Sequence, residues 1–287
     1  MNDAIAFAKM NGLGNAITVA DFRGRNRVLS PAQARAIAAA EATRCDQIMA
    51  LHDAASPDAA AFVRIYNADG SEAEACGNGN RCVAVVLAEQ AGGPDVAFET
   101  RAGRIEAEVH DDGSVSVDMG EPRLGWRDIP LAAEIDTKMF DLSRIIPGLP
   151  GLDAASAVNV GNPHCVCFVD TIAVHDLAAV GPQVETHPFF PARVNFSLAQ
   201  IVSGEMIRLA VWERGAGLTR ACGTAACAAV VAAARNGLAD RNATVALPGG
   251  DLRIHWRECD NRIHMTGPYE LEARGHIPAS LLEASAS

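Results

Sequence analysis

The sequence is poor in aromatic residues and in basic charge. Only 5% of its 287 residues are aromatic, and 24 lysines and arginines stand against 35 acidic residues, which gives a formal net charge of -11. Such an acidic chain offers no electrostatic attraction to nucleic acid or to an anionic membrane, so neither is an expected partner. Hydrophobic residues make up 49% of the chain, which is enough to bury one large core or two medium ones.

The sequence also lacks targeting and membrane segments. No apolar run approaches the ~18 to 20 residues that a membrane-spanning helix needs, and the first residues, MNDAIAFAKMNG, do not resemble a signal peptide. We therefore expect a cytoplasmic protein. Its eight cysteines are then interpreted as reduced thiols, because disulfide frameworks are typical of short secreted chains.

Lysine is nearly absent, since Lys9 and Lys138 are the only two. Neither lies in a context typical of a lysine that holds pyridoxal phosphate as an imine. No Gly-x-Gly-x-x-Gly segment follows a predicted strand either, which argues against a dinucleotide cofactor. The sequence therefore favours an activity that needs no cofactor.

Turn signals recur at intervals that suit short strands. They lie at residues 69–70, 111–113 and 248–251, and the segments around them alternate apolar and polar residues. This alternation is typical of half-buried antiparallel strands, so each signal predicts a β-hairpin.

Three segments have the pattern of helices. Residues 79–90 end before Gly92-Gly93, and residues 225–235 end before Asn236-Gly237, where glycine or asparagine can terminate a helix. Both are apolar on nearly every face, which indicates helices surrounded by protein. Residues 30–42 begin with Ser30 and Pro31, which suit the cap and first turn of a third helix.

This organisation predicts an α+β fold of two pseudo-duplicated domains, each a mostly antiparallel sheet wrapped around one buried helix. We expect the first domain at residues 1–121, with residues 270–287 returning to it, and the second at residues 122–269. The active site is expected in the cleft between them.

The tripeptide Ala-Cys-Gly occurs twice, at Cys76 and at Cys222. In each copy a good capping residue, Asn78 or Thr224, follows two positions later and is predicted to be the N-cap of the helix. Each sulfur should then lie near a helix N-terminus, where the helix dipole lowers the pKa of a thiol. The N–H groups of the same turn can hold a carboxylate or a phosphate.

Other roles for these cysteines have to be weighed. A free cysteine is most often a small core residue. A zinc site does not fit, because Cys76 and Cys82 are six residues apart and Cys222 and Cys227 five apart, which matches no zinc motif. A cysteine hydrolase that uses His164 remains open. Cys82 and Cys227 are interpreted as core residues of their helices.

Two equivalent thiols indicate a different chemistry from one. With one sulfur on each face of an α-carbon, a thiolate could remove the α-proton while a thiol returned a proton to the opposite face. This hypothesis predicts an epimerase or racemase that works without pyridoxal phosphate.

The polar segments of the chain carry a family resemblance. They are KMNGLGN (9–15), CDQIMAL (45–51), RIYNADGSEAEACGNGNRC (64–82), VNVGNPH (158–164), RVN (193–195) and WERGAGLTRACGTAACA (212–228). In this order the segments resemble diaminopimelate epimerase, from Lys9 to the MTGP that begins at Met265. The combination of ACGNG with WERGAG-x-T-x-ACG is highly specific.

The resemblance implies a cofactor-independent isomerase that interconverts LL- and meso-diaminopimelate on the route to lysine and peptidoglycan. It implies Cys76 and Cys222 as the base and acid pair. It also implies a set of substrate-binding residues: the amides Asn15, Gln47, Asn67, Asn162 and Asn195, the charged Glu213 and Arg214, and the helix-terminal Gly77, Asn78, Gly223 and Thr224. His164 and Glu213 would lie near the sulfurs and support catalysis. A homodimer is expected from the resemblance alone.

The sequence departs from the common family pattern at a few positions. Asn11 replaces a histidine, Ala16 and Ile17 replace Asp-Phe, Asn80 replaces an alanine and Leu218 replaces a glutamate. Two rival functions stay open: a related racemase or isomerase of the proline racemase or phenazine biosynthesis type, and a protein that binds a diamino diacid without converting it.

Overall fold

The computed structural model describes residues 4–73, 76–149 and 151–283. The strands, in chain order, are β1 (Ile5–Asn11), β2 (Ala16–Asp21), β3 (Gln47–His52), β4 (Phe62–Asn67), β5 (Glu72–Ala73), β6 (Asp95–Thr100), β7 (Gly103–Val109), β8 (Ser114–Asp118), β9 (Ala155–Asn159), β10 (Pro163–Phe168), β11 (Asn195–Ser203), β12 (Met206–Glu213), β13 (Gly217–Thr219), β14 (Asn242–Leu247), β15 (Gly250–Trp256), β16 (Ile263–Pro268) and β17 (Glu270–Ile277).

The described residues contain fewer helices than strands, and the two longest helices are α2 and α5. They are α1 (Pro31–Ala39), α2 (Gly77–Ala91), α3 (Leu142–Ile145), α4 (Leu177–Glu185), α5 (Gly223–Arg235) and α6 (Ala279–Leu282), and single 3-10 turns lie at Glu41–Thr43 and Ile172–Val174. Among the residues described, none of these helices has the length and apolar character that crossing a membrane would require.

The chain forms two compact units. The first contains the described residues up to Val117 together with those from Gly267 onward, and the second is Asp118–Thr266. Sequence reasoning placed the boundaries at 121/122 and 269/270, in the turns after β8 and β16. The observed boundaries fall inside these two strands, so turn signals do not mark them. Residues 1–3 and 284–287, which the expected first domain included, lie outside the described residues.

Strand pairing in the first unit is mostly antiparallel. The pairs β1–β2, β3–β4, β4–β5, β6–β7 and β7–β8 are antiparallel, whereas β2–β3 and β4–β6 are parallel. Strand β17 adds an antiparallel partner to β1.

The second unit repeats this order strand for strand. The pairs β9–β10, β11–β12, β12–β13, β14–β15 and β15–β16 are antiparallel, and β10–β11 and β12–β14 are parallel. Helix α2 follows β5 as α5 follows β13. The structure thus confirms the α+β class and the pseudo-duplication, which the sequence suggested only through its repeated organisation.

Helices α2 and α5 are the buried centres of their units. Every residue of α5 from Gly223 to Ala233 is buried, and α2 is buried along most of its length from Gly77 to Ala88. Alanine and valine dominate both helices, and such small side chains let sheet strands pack closely around a helix whose backbone polar groups bond to one another. The prediction of two helices surrounded by protein is confirmed.

The local predictions hold with small shifts at the ends. All three turn signals join antiparallel strands, namely β4–β5, β7–β8 and β14–β15. Helix α1 begins with the capping box of Ser30 and Gln33, and it stops at Ala39 rather than Ala42. Helix α2 ends at Gly92, whose φ of 73° is the left-handed conformation that suits a helix end.

Substitutions at two glycines in the first unit would distinguish the cost of backbone strain from the cost of a steric clash. Gly70 and Gly113 both lie in hairpin turns with positive φ, of 87° and 80°. A Cβ at Gly70 would lie 2.4 Å from the carbonyl oxygen of Pro31, whereas a Cβ at Gly113 would meet nothing within 4 Å. Gly113→Ala should lower the free energy of unfolding by about 1–2 kcal/mol through left-handed strain alone.

Gly70→Ala should cost clearly more than Gly113→Ala, because the hairpin must also move away from the first turn of α1. Urea unfolding of both variants would measure the difference. Equal losses of stability would contradict the close packing of the β4–β5 turn on Pro31.

Candidate active site

Cys76 is the N-cap residue of α2. Its backbone is extended, with φ −148° and ψ 104°, and its Sγ accepts a hydrogen bond from the N–H of Gly79 at 3.2 Å. The sequence placed the cap at Asn78, two residues later, and this was wrong because the sulfur itself takes the capping position. Asn78 is buried inside the first turn, where its Oδ1 accepts a hydrogen bond from Arg81.

A row of three amides extends away from Cys76. Asn15 Nδ2 lies 3.9 Å from Cys76 Sγ and 3.4 Å from Gln47 Oε1, and Gln47 Nε2 donates to Asn67 Oδ1 at 2.9 Å. Strand register explains the row, because Gln47 pairs with Ile17 on one side and with Asn67 on the other. Asn15, Gln47, Asn67 and Cys76 are all half-buried, so they form one polar edge of the first unit.

Sequence reasoning missed a residue at the end of this row. Asn67 Nδ2 donates to Ser71 Oγ at 3.0 Å, and the N–H of Ser71 bonds to Asp69 Oδ1. The Asn-Ala-Asp-Gly-Ser turn therefore fixes the amide of Asn67 as well as the hairpin. The Asp-Gly-Ser sequence, typical of an Asx turn, is the signal that could have revealed Ser71.

Cys222 is the N-cap residue of α5 in the second unit. Its backbone is again extended, with φ −136° and ψ 112°, and its Sγ lies 3.4 Å from Thr224 Oγ1. The predicted cap at Thr224 was wrong by the same two residues as in the first unit. Cys222 and Thr224 are both buried.

The surroundings of Cys222 differ from those of Cys76. Burial raises the pKa of Cys222 well above that of an ordinary thiol, and the negative charge of Glu213 raises it further. Burial also raises the pKa of Glu213, although its hydrogen bond with Cys222 acts in the opposite direction. The second unit thus places a carboxyl group directly beside its sulfur, and Cys222 is held as a thiol.

The other predicted residues of the second unit converge on the same strand ends. Asn195 Nδ2 donates to the carbonyl oxygen of Pro163, and Asn195 Oδ1 accepts the backbone N–H of Arg214, both at 3.0 Å. The guanidinium of Arg214 donates to the carbonyl oxygen of Ala192 and is otherwise exposed. Asn195 therefore fixes the start of the turn that carries Arg214.

His164 contacts an amide rather than a sulfur. Its Nε2 lies 2.8 Å from Asn162 Oδ1, and its Nδ1 has no hydrogen-bond partner among the described residues. Burial lowers the pKa of His164 to about 3, and the positive charge of Arg214 acts in the same direction. The imidazole is therefore neutral near pH 7 and orients Asn162. Its role at the reacting centre stays a prediction.

The strand register relates the two sets of residues one to one. Asn15 and Asn162 precede β2 and β10, Gln47 and Asn195 begin β3 and β11, Asn67 and Glu213 end β4 and β12, and Cys76 and Cys222 cap α2 and α5. Gln47 and Asn195 had no local sequence signal, and their equivalent places in the fold now supply one. Each unit therefore carries polar residues at equivalent places around its cysteine.

The remaining sequence features, apart from Asn80, have clear places in the structure. Cys82 and Cys227 are fully buried within their helices, and burial raises the pKa of Cys82 to about 12. Asn11 caps the turn before β2, because its Oδ1 accepts the N–H of Gly14 at 2.7 Å. Ile17 is a core residue and Leu218 is exposed. Buried Asn80 keeps an Oδ1 without a hydrogen-bond partner among the described residues, and nothing in the structure explains its choice.

Solved structures define the class of fold. A phenazine biosynthesis protein of the PhzF family from Enterococcus faecalis aligns with 96% of the chain over 99% of its own length, with a TM-score of 0.67 and 13% identity. A probable proline racemase from Agrobacterium radiobacter aligns with 96% of the chain over 93% of its own length, with a TM-score of 0.63 and 17% identity. At such low identity the likeness establishes a shared two-unit α+β fold and nothing about the reaction.

The chain belongs to the diaminopimelate epimerase family. Its residues 7–125 and 156–272 match the sequence profile of that family. A diaminopimelate epimerase of Methylocella silvestris is 51% identical over 280 residues, covering 97% of both chains. Those of Brucella melitensis and Rhizobium meliloti are 50% and 49% identical over 94% and 96% of this chain, and the matches cover 89% and 93% of their own lengths.

The charge of Glu213 can be tested through the reactivity of Cys222. Glu213→Gln removes the negative charge that raises the pKa of this thiol, so the pH midpoint for alkylation of Cys222 by iodoacetamide should move down. Each unit of pKa lost raises the thiolate fraction about tenfold at a pH below the midpoint. Peptide mass spectrometry across a pH series would follow the reaction.

The matched control for this test is Glu205→Gln, which removes an equal charge from an exposed turn of the same unit. It should leave the alkylation midpoint of Cys222 unchanged. An unchanged or raised midpoint in Glu213→Gln would show that the carboxyl group does not act on the sulfur.

Proposed function

We propose that this chain is an isomerase that interconverts LL-2,6-diaminopimelate and meso-2,6-diaminopimelate without a cofactor. The reaction lies in amino-acid biosynthesis, on the route to lysine and peptidoglycan precursors. Membership of the diaminopimelate epimerase family and about 50% identity to relatives of that name support the proposal. The rival functions have weaker support, because the proline racemase and phenazine biosynthesis proteins share only the fold.

One observation carries the proposed mechanism. In each unit a cysteine occupies the N-cap position of a buried helix, and a polar side chain lies beside its sulfur, that of Asn15 in the first unit and that of Glu213 in the second. A hydrolase needs one nucleophile with a base, and the described contacts of His164 do not include a sulfur. Two duplicated thiols match a reaction that needs one proton acceptor and one proton donor.

In the proposed reaction the α-carbon of the substrate loses one proton and gains another. The thiolate of one cysteine removes the hydrogen of an α-carbon as a proton, and the electron pair of the broken C–H bond passes into the carboxylate as an enolate. The thiol of the other cysteine then donates its proton to the opposite face of that carbon. The centre is inverted, the two sulfurs have exchanged protonation states, and no oxidant or reductant is needed.

The helix termini are proposed to hold the reacting carboxylate. The first N–H groups of a helix have no intrahelical acceptor, so those of Gly77-Asn78 and of Gly223-Thr224 suit an anion whose charge grows as the proton leaves. Burial of Gly77, Asn78, Gly223 and Thr224 strengthens these hydrogen bonds by excluding water.

The remaining polar groups are proposed to bind the other groups of the substrate. Glu213 accepts from an ammonium, and the exposed fork of Arg214 suits the distal carboxylate. The amides Asn15, Gln47, Asn67, Asn162 and Asn195 supply hydrogen bonds without charge. A diamino diacid has two ammonium and two carboxylate groups, so this combination of anion, cation and amide sites matches its chemistry.

We assign the resting thiolate to Cys76 and the resting thiol to Cys222. Cys76 Sγ accepts the N–H of Gly79, and the amide of Asn15 points its Nδ2 at the same sulfur. Hydrogen bonds of this kind stabilise a thiolate. Cys222 is buried beside the carboxyl group of Glu213, and both features raise its pKa. A cytoplasmic location and a homodimer, which the sequence led us to expect, stay predictions.

Turnover by the purified protein tests the proposal directly. With pyridoxal phosphate excluded, the protein should convert LL-diaminopimelate to the meso form and exchange the α-hydrogen with deuterated water. Cys76→Ala and Cys222→Ala should each lower the rate about 10² to 10⁴-fold, the range expected for loss of a general acid or base. Chiral chromatography and mass spectrometry would follow both processes.

The control for these variants is Cys259→Ala, which removes an exposed thiol and should leave the rate unchanged. Near wild-type rates in either cysteine variant would refute the two-base mechanism. Binding of diaminopimelate without turnover would establish the binding protein instead, and conversion of proline would establish a related racemase.

The resting protonation states have their own test. In the substrate-free protein, the pH midpoint for alkylation of Cys76 should lie below that of Cys222, because the N–H of Gly79 and the amide of Asn15 stabilise a thiolate at Cys76, whereas burial and the charge of Glu213 raise the pKa of Cys222. Competition with a short cysteine peptide in the same tube would calibrate the reagent. The reverse order of midpoints would assign the resting thiolate to Cys222.

A further inference from the structure

Glu213 ends β12 and Arg214 begins the turn to β13, and helix α4 packs directly against this region. At Gly181 of α4, an added Cβ would lie 2.4 Å from ring atoms of Trp212. Only glycine lets the helix approach the indole this closely. The residue before Glu213 is therefore in tight contact with α4.

Glu185 lies one helical turn after Gly181, on the same face of α4. Its side chain is only 8% exposed, yet its carboxylate accepts three hydrogen bonds. Oε2 accepts the indole N–H of Trp212 at 2.7 Å, while Oε1 accepts the backbone N–H of Gly215 at 3.0 Å and a guanidinium N–H of Arg193 at 3.2 Å. A buried carboxylate is stable only with such partners.

The partners of Glu185 enclose the two binding residues. Trp212 directly precedes Glu213, and Gly215 directly follows Arg214. The carboxylate of Glu185 therefore hydrogen-bonds to the residues on both sides of the Glu213-Arg214 pair. The hydrogen bond from the Arg214 N–H to Asn195 Oδ1 adds a third attachment between these ends.

We propose that Glu185 is a positioning residue that holds Glu213 and Arg214 in place to bind the substrate. This inference rests on the proposed function, because it takes Glu213 and Arg214 as binding groups. Glu185 itself does not touch the substrate. It acts through the Trp212 indole and the Gly215 amide, and small displacements of a positioning group lower rates strongly.

The position requires a carboxylate. Two oxygens here accept from three N–H donors, and glutamine would offer one oxygen and one NH₂ group. The NH₂ group would face either the indole N–H or the N–H of Gly215, donor against donor. Glu185→Gln should therefore release one end of the turn although it preserves the size of the side chain.

The experiment compares Glu185→Gln with Gln183→Ala, a change at an exposed position of the same helix. In Glu185→Gln, amide hydrogen exchange of a peptide covering 212–217 should become at least about tenfold faster. The KM for LL-diaminopimelate should rise about tenfold or more, and kcat should change less, because binding groups are displaced rather than the sulfurs. Gln183→Ala should match the wild type in both measurements.

A second variant keeps the test decisive if Glu185→Gln folds poorly. Trp212→Phe keeps an aromatic ring against Gly181 and removes the indole N–H donor. It should therefore also speed amide exchange in residues 212–217 and raise KM, but by less than Glu185→Gln. Wild-type exchange in residues 212–217, or an unchanged KM in a variant that loses only thermal stability, would overturn the positioning role.

The two measurements separate this proposal from the proposed function. Faster exchange in the turn of Glu185→Gln, in a protein whose wild type shows no epimerase activity, would refute the function and support the anchoring of the turn by Glu185. Wild-type exchange together with normal epimerase activity would support the function and refute the positioning role.

Discussion

The proposed active site depends on the position of a cysteine at the N-terminus of a buried helix. A helix that is buried on every side still has first-turn N–H groups without an intrahelical acceptor. In the first unit the Sγ of Cys76 accepts one of them, from Gly79. The cysteine that caps the helix therefore sits where backbone dipoles favour negative charge, and the same turn suits a carboxylate. Structural capping and the proposed chemistry use one group of atoms.

The two units share the same strand order, but the side chains at equivalent positions differ in chemical type. The end of β4 carries Asn67 and the end of β12 carries Glu213, although the two strands occupy equivalent places. Ile17 likewise corresponds to His164. Among the described residues, the neutral amide of Asn15 contacts the sulfur of the first unit, whereas in the second unit the carboxyl group of Glu213 raises the pKa of the thiol. This difference supports the unequal protonation states that the proposed two-base reaction requires at rest.

Sequence patterns predicted the fold well wherever the signal was local. Hairpin turns, the capping box at Ser30 and the two all-apolar helices each depend on residues within a few positions of one another, and all appear in the structure. The helix starts were wrong by two residues, because propensities for the N-cap favour asparagine and threonine over cysteine. The unit boundaries were shifted because they lie inside strands, where no turn residue marks them.

The sequence by itself determined the class of chemistry, since two Ala-Cys-Gly segments and the WERGAG motif are readable without coordinates. Tertiary structure decided which polar side chains lie together within each unit. Gln47 joins Asn15 and Asn67 only through parallel and antiparallel strand register, and Glu185 reaches the Gly215 amide across thirty residues of chain. Such contacts arise from strand pairing and helix packing, which depend on the whole fold, so no local pattern in the chain could reveal them.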